Sequence, residues 1–200
     1  WSRARTAAEI AAQRGTRLTG AEADLVGYWP LDNGTTLDLA PTLRHATLQG
    51  SPLWTRVYVV PQSSASLAPG KLTPPLPAVM VFDGDDYLEV PAFASPTAQI
   101  TVSVWARSDT PTWNDHGCLV SKRDAFFLHP WKGSRSISFY LNANLAVNFT
   151  PDDIQGWHLY TGTYDVTVMR LYIDGDLVAD RAVKTTIPAD STGVLCIGHD

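Results

Sequence analysis

Residues 156–175 read GWHLYTGTYDVTVMRLYIDG, and their pattern decides the fold. Tyr160, Gly162 and Tyr164 fall on one face of an extended run, and Leu171 and Ile173 repeat the alternation in a second run. Val166 to Met169 reads as the connection, and Asp174-Gly175 as a tight turn that sends the chain back. A period of two, bounded by turn residues, specifies antiparallel strands.

Working outward, the same rhythm recurs. Ile100 to Arg107 alternates Ile100, Val102, Val104 and Ala106 against Thr101, Ser103, Trp105 and Arg107. Strands are also expected at Leu25–Leu31, Ala46–Leu48, Val57–Val60, Val79–Phe82, Tyr87–Val90 and Cys118–Ser121. Further strands fall at Ala125–Leu128, Ser136–Leu141, Leu145–Phe149, Leu177–Ala182 and Gly193–Gly198. Asp83 to Asp86 reads as a hairpin turn and the HPWKGSR stretch as another. The expected fold class is all-β: a two-layer antiparallel β-sandwich with a short N-terminal helix. Thr6 and Glu9 fit a capping box for that helix, and Gly15 is placed to end it. Residues 54–78 hold a Pro/Ser-rich stretch that cannot supply a central strand and reads as a surface excursion.

Composition narrows the function classes. The chain of 200 residues is 44% hydrophobic with seven Trp, seven Tyr and six Phe, enough for one sizeable core. Its net charge of −5 comes from scattered acids, and its 15 Lys and Arg form no long run, which excludes an electrostatic footprint for nucleic acid. No apolar run is long enough for membrane insertion. Cys118 and Cys196 read as two small buried thiols, with a single disulfide as the alternative. Asn33-Gly34-Thr35 and Asn148-Phe149-Thr150 match glycosylation acceptors, which matter only on a eukaryotic secretory route.

The order of motifs carries a resemblance. LVGYWPLD (25–32), VFDGDDYL (81–88), TVSVW (101–105), Trp157-His158-Leu159, LYIDG (171–175) and Cys196-Ile197-Gly198 follow one another as in laminin G-like jelly rolls. The chain thus resembles, over residues 25–200, the concanavalin A-like lectin/glucanase superfamily and is similar to pentraxins. In that comparison residues 1–24 are similar to the closing segment of such a module, and residues 25–200 lack a closing strand of their own. The chain is therefore expected to be a slice of a longer protein. Its residues 1–20 either trail from a preceding module or dock onto this one.

The resemblance implies calcium as a possible cofactor. Asp124 and Asp200 match the pentraxin-like acidic loops in part, and Asp32 and Asp38, with Asn33 and His45 nearby, lie where other laminin G-like modules bind the ion. Calcium takes several hard oxygen ligands, and Asp124 with Asp200 supplies too few; for Asp32 and Asp38, as for Asp83, Asp85 and Asp86, turn capping is the plainer role. The related glucanases carry Glu, Asp and Glu at alternate positions of one strand. Here the only three Glu, Glu9, Glu22 and Glu89, are dispersed, and Asp174 and Asp176 flank a turn, so no enzyme activity is expected.

Sugar binding requires an exposed aromatic platform. Trp113 with Asn114, Asp115 and His116 forms one candidate loop, and His129 with Trp131 and Lys132 another. Trp29, Trp105 and Trp157 lie in strands and are expected in or near the core. The reading is a noncatalytic recognition or adhesion module, extracellular or at a cell surface. Its expected partners are a glycan or protein ligand and neighbouring domains of the same polypeptide. The alternatives are a structural spacer and, more distantly, a glycoside hydrolase.

Overall fold

The computed structural model describes residues 1–32, 34–56, 78–113, 117–142 and 144–198. The expected strand at Val57–Val60 and the body of the Pro-rich excursion lie outside them.

The opening stretch forms a hairpin of β10 (His158–Tyr164) and β11 (Val168–Ile173), and β11 returns into β12 (Asp176–Ala182). The connection is Asp165–Thr167, shorter than the pattern suggested, because Asp165 Oδ1 accepts the Thr167 and Val168 N–H groups and starts the strand early. At the second turn Asp174 and Gly175 have φ of 57° and 94°, the conformation that suits the twist of a two-residue hairpin. On its other edge β10 pairs with β5 (Ile100–Ala106), giving a four-stranded sheet of order β12-β11-β10-β5.

The facing sheet has seven strands. They are β1 (Thr47–Gln49), β4 (Tyr87–Val90), β6 (Val120–Lys122), β7 (Phe126–Pro130), β8 (Ile137–Leu141), β9 (Leu145–Phe149) and β13 (Leu195–Ile197). They run in the order β1-β4-β13-β6-β7-β8-β9, all antiparallel. One core joins the layers: Leu128, Ile137, Phe139 and Leu141 from the larger sheet meet Tyr160, Tyr164, Met169 and Leu171 from the smaller. Gly162 lies between Tyr160 and Tyr164, and a Cβ there would come within 2.3 Å of the Phe139 ring. The layers therefore approach closely only because this residue has no side chain.

Two expected elements differ. Leu25–Leu31 joins no ladder: Tyr28 donates its N–H to Asp38 Oδ1 and accepts from Leu39 N–H, and Leu31 turns to φ 52°. The hairpin expected around Asp83–Asp86 is also absent. β3 (Ala78–Val81) pairs instead with β2 (Leu53–Arg56), and β4 pairs with β1 and β13. Period-two patterns identify strands but not their partners, and here the preceding segment wins the pairing.

Residues 1–14 lie against the outer face of the four-stranded sheet. Helix α1 (Ala7–Gln13) has both halves of the capping box: Thr6 Oγ1 accepts the Glu9 N–H, and Glu9 Oε2 accepts the Thr6 N–H. The helix ends at Arg14, one residue before the expected glycine, and Arg14 donates to the Asp174 carbonyl. Ile10 is buried against Leu159 and Tyr172, with Trp105 beside it. All seven residues of β10 are consequently buried.

The capping box predicts a pH response. Hydrogen bonds from Arg3, then from Thr6, hold the Glu9 carboxyl down to about 2 from its ordinary 4.5. A depressed carboxyl pKa stabilises the docked segment fully above pH 4.5, and that contribution disappears as pH falls toward 2. Tryptophan fluorescence should report α1 loosening in that window, and Glu9→Gln should abolish the dependence.

Among the described residues no helix is long and apolar enough to cross a membrane. Cys118, buried, and Cys196, half-buried, are both thiols and not a disulfide.

Candidate functional site

Alternation on β7 and β8 divides their side chains between the core and the outer face of the sheet. Phe126, Leu128 and Pro130 point inward with Ile137, Phe139 and Leu141, leaving Phe127, His129, Ser138 and Tyr140 on the outer face. The register places Phe127 opposite Tyr140 and His129 opposite Ser138. Phe127 and Tyr140 stack with centroids 4.4 Å apart and planes 11° apart. His129 sets its edge toward both rings, at 6.2 and 6.3 Å, and toward Trp131 at 5.7 Å.

Trp131 follows β7 and is 45% exposed, but it is not loose: its Nε1 donates to Ser138 Oγ at 2.6 Å. His129 Nδ1 lies 3.3 Å from Cys118 Sγ, which fixes that ring from below. Burial pushes the Tyr140 phenol above its ordinary pKa, so it stays a neutral donor and acceptor. Ser136 and Thr150 share a hydrogen bond at 2.6 Å beside the strip. The result is a rigid aromatic strip with a hydroxyl margin, suited to a ligand with an apolar face and a polar rim.

Of the two sugar-site candidates, the structure brings His129 and Trp131 together. Trp113 is a correction. It is only 6% exposed, meets Tyr160 edge-on at 5.9 Å and donates Nε1–H to the Arg135 carbonyl, so it closes the core at the sheet margin. Asn114, Asp115 and His116 lie outside the described residues. Sequence reasoning missed Phe127 and Tyr140, although each stood in the solvent phase of an alternating strand, where an aromatic is conspicuous.

Most of the acidic candidates already have partners within the protein. Asp38 is buried, with Oδ1 taking the Tyr28 and Ala40 N–H groups and Oδ2 taking the Thr42 hydroxyl and the Arg44 N–H. Asp32 is buried and pairs with Arg17 at 2.6 Å. Asp124 is exposed on the turn between β6 and β7, while its neighbour Lys122 is fully buried. The Lys122 ammonium reaches Asp190 Oδ2 at 2.9 Å and the Gly193 carbonyl, so this corner already holds a cation of the protein's own. Asp200 lies outside the described residues. Asp83, Asp85 and Asp86 each offer an oxygen within 4.8 Å of the others, and hydrogen bonding with Asp86, then Asp85, pushes the Asp83 carboxyl up. The Ser51 N–H already donates to Asp86 Oδ1. On the turn between β11 and β12, Asp174 receives the Leu159 N–H on Oδ1 and pairs with His158 Nδ1 at 2.7 Å through Oδ2.

No curated protein sequence matches the chain. Among solved structures it is similar to domain 4 of AbnA, a GH43 extracellular arabinanase from Geobacillus stearothermophilus, solved with arabinotriose. The TM-score is 0.64 at 14% identity, covering 90% of this chain and 85% of that one. The binding domain of botulinum neurotoxin DC, in complex with SialylT, gives 0.58 at 15% identity over 84% of this chain but 42% of its own length. The binding domain of Paraclostridial Mosquitocidal Protein 1 gives 0.57 at 13%, over 90% and 43%. At such identities these likenesses speak to the fold. The family model Laminin_G_3 matches residues 82–200, more than half of the chain, and with the two antiparallel layers it shows that the chain belongs to the concanavalin A-like lectin/glucanases superfamily.

Proposed function

We propose that the chain is a noncatalytic recognition module of a larger extracellular protein and that it binds a glycan on the outer face of its seven-stranded sheet. The observation that carries this reading is the ring cluster Phe127–His129–Trp131–Tyr140, in which an exposed indole is held in place by Ser138. Preorganised aromatic surface loses little conformational entropy on binding, which is what a shallow site needs. The arabinotriose and SialylT complexes of the similar domains support a sugar over other ligands. The dispersal of the three Glu supports a noncatalytic role: Glu9 caps α1, Glu22 accepts the N–H groups of Thr19 and Gly20, and Glu89 lies on β4.

A glycan array with the purified protein tests this. Trp131→Ala should weaken saturable binding about tenfold or more, a loss of roughly 1.4 kcal/mol per decade. Because Trp131 lies at the surface, the melting temperature should barely change. Binding that survives Trp131→Ala and Tyr140→Ala would remove this face from consideration. Absence of any glycan binding by the folded protein would turn the search to a protein ligand. Repeating the array with calcium and with chelator decides whether the acidic turns act as ligands or only as caps.

A further inference from the structure

His158 opens β10 and is 9% exposed, yet it lies between two carboxylates. Its Nδ1 meets Asp174 Oδ2 at 2.7 Å, and Asp174 is itself fixed by the Leu159 N–H on Oδ1. The other ring nitrogen, Nε2, is buried without a hydrogen-bond partner, and Asp153 Oδ2 stands 3.8 Å from it. That gap is about 1 Å longer than a charge-assisted hydrogen bond. The remaining charged and titratable groups come from three sides. Arg14, just past α1, donates to the Asp174 carbonyl, and Tyr160 approaches the ring edge-on at 6.0 Å with its hydroxyl buried and unpartnered. On β5, Ala106 lies opposite His158, and the next residue, Arg107, lies over the Trp157 ring and pairs with Asp109 at 2.8 Å.

Asp153 belongs to residues 150–157, which connect β9 to β10. Its carboxylate caps the loop, taking the Gln155 N–H at 2.8 Å and the Gly156 N–H at 3.2 Å. Ile154 is buried in the core, and its carbonyl accepts the Ser108 N–H at 2.7 Å, which gives the loop a fixed pivot. On the far side of Asp153 the loop is tied to the hairpin that carries Trp131. The Asp152 carbonyl accepts from Arg135 Nη1, and the Thr150 and Ser136 hydroxyls share a hydrogen bond at 2.6 Å. The Ser136 carbonyl then accepts the Trp131 N–H at 2.9 Å. One chain of contacts thus runs from His158 through Asp153 to the backbone of the exposed indole.

We infer that His158 and Asp153 form a proton-operated latch on the 150–157 loop, closed when the imidazole is doubly protonated, and that through this loop it regulates the aromatic strip; the inference rests on the recognition reading above. A neutral imidazole has one N–H, which Asp174 holds at Nδ1, so a bare lone pair on Nε2 faces the Asp153 carboxylate. An imidazolium has a second N–H, and Asp153 then gains a charged donor that closes the gap. The hydrogen bond with Asp174 raises the His158 pKa above its ordinary 6.5; burial opposes the rise, and the charges of Asp174 and Asp153 add to it. A raised histidine pKa contributes fully below pH 6.5, and its contribution is lost as pH rises through the raised value. The loop is therefore held under mildly acidic conditions and released under alkaline ones. Release loosens Thr150 and Asp152, and with them the Ser136 and Arg135 contacts that steady the Trp131 hairpin.

Amide hydrogen exchange on the whole chain, corrected for the intrinsic pH dependence, tests this without a ligand. Protection at Gly156 and Trp131 should fall about threefold or more between pH 5.5 and 8.5, in step with the His158 ring signal in NMR, while the Tyr160 amide stays protected. Asp153→Asn keeps an oxygen to cap the loop but removes the charge, and it should abolish the fall at both amides. Because that variant leaves His129 untouched, it separates the latch from any titration within the strip. Glycans bound on the array should show the same loss of affinity over this range in the parent and none in Asp153→Asn. Level protection at Gly156, or an equal fall in Asp153→Asn, would overturn the latch. A fall at Gly156 with level protection at Trp131 would overturn its hold on the strip. Absence of glycan binding at every pH would instead overturn the recognition reading, and with it the regulatory role.

Discussion

Gly162→Ala should lower the melting temperature by roughly 6–12 °C, the equivalent of about 3 kcal/mol for a domain of this size. The added methyl has nowhere to go. It would lie 2.3 Å from Phe139 Cδ2, and Phe139 is itself fully buried between the two sheets. Relief requires the layers to separate, which disturbs packing along the whole of β10. The double variant Gly162→Ala/Phe139→Leu should be more stable than the sum of its parts, because the smaller side chain vacates the space the methyl needs. Simple additivity in thermal denaturation would show that Phe139 is not the wall.

Asp38→Ala should cost about 4 kcal/mol, chiefly by stranding donors. One buried carboxylate satisfies the N–H groups of Tyr28, Ala40 and Arg44 together with the Thr42 hydroxyl. Bonds to a charged acceptor each contribute about 1.5–3 kcal/mol, less than additively when they share one group. The damage should be local, with proteolytic cleavage appearing within residues 26–46 while amide protection in β10 persists. Asp38→Asn should fall between the two, because its amide can still accept on one side. If Asp38→Ala were as stable as the parent, the carboxylate would not be the organiser of this loop.

Both residues stood plainly in the sequence, but their roles were legible to different degrees. The alternation of residues 156–175 was enough to specify strands and, with the other motifs in order, a sandwich. Gly162 occupies a core-facing phase between two tyrosines, which hints at close approach; that the approaching group is Phe139 is a cross-sheet fact with no local signal. Asp38 was singled out because the resemblance implies a calcium site in its loop, and a carboxylate there serves a cation and a set of backbone N–H groups equally well on paper. Trp113 misled for a related reason: loop membership says nothing about which way an indole turns. Trp131 and His129 were legible because the HPWKGSR turn fixes the phase of both flanking strands. Strand partners were the least legible feature, as the pairing of β3 with β2 shows, since pairing is decided by which edges meet after the layers form.

That pairing has a consequence for how the chain tolerates change. Leu53 lies opposite Val81 and Arg56 opposite Ala78, so the two ends of residues 57–77 emerge side by side from a closed antiparallel base. Doubling the length of a segment hung from such a base costs only about 0.6 kcal/mol in closure entropy. Lengthening the chain between Arg56 and Ala78 should therefore leave the β2–β3 register in place.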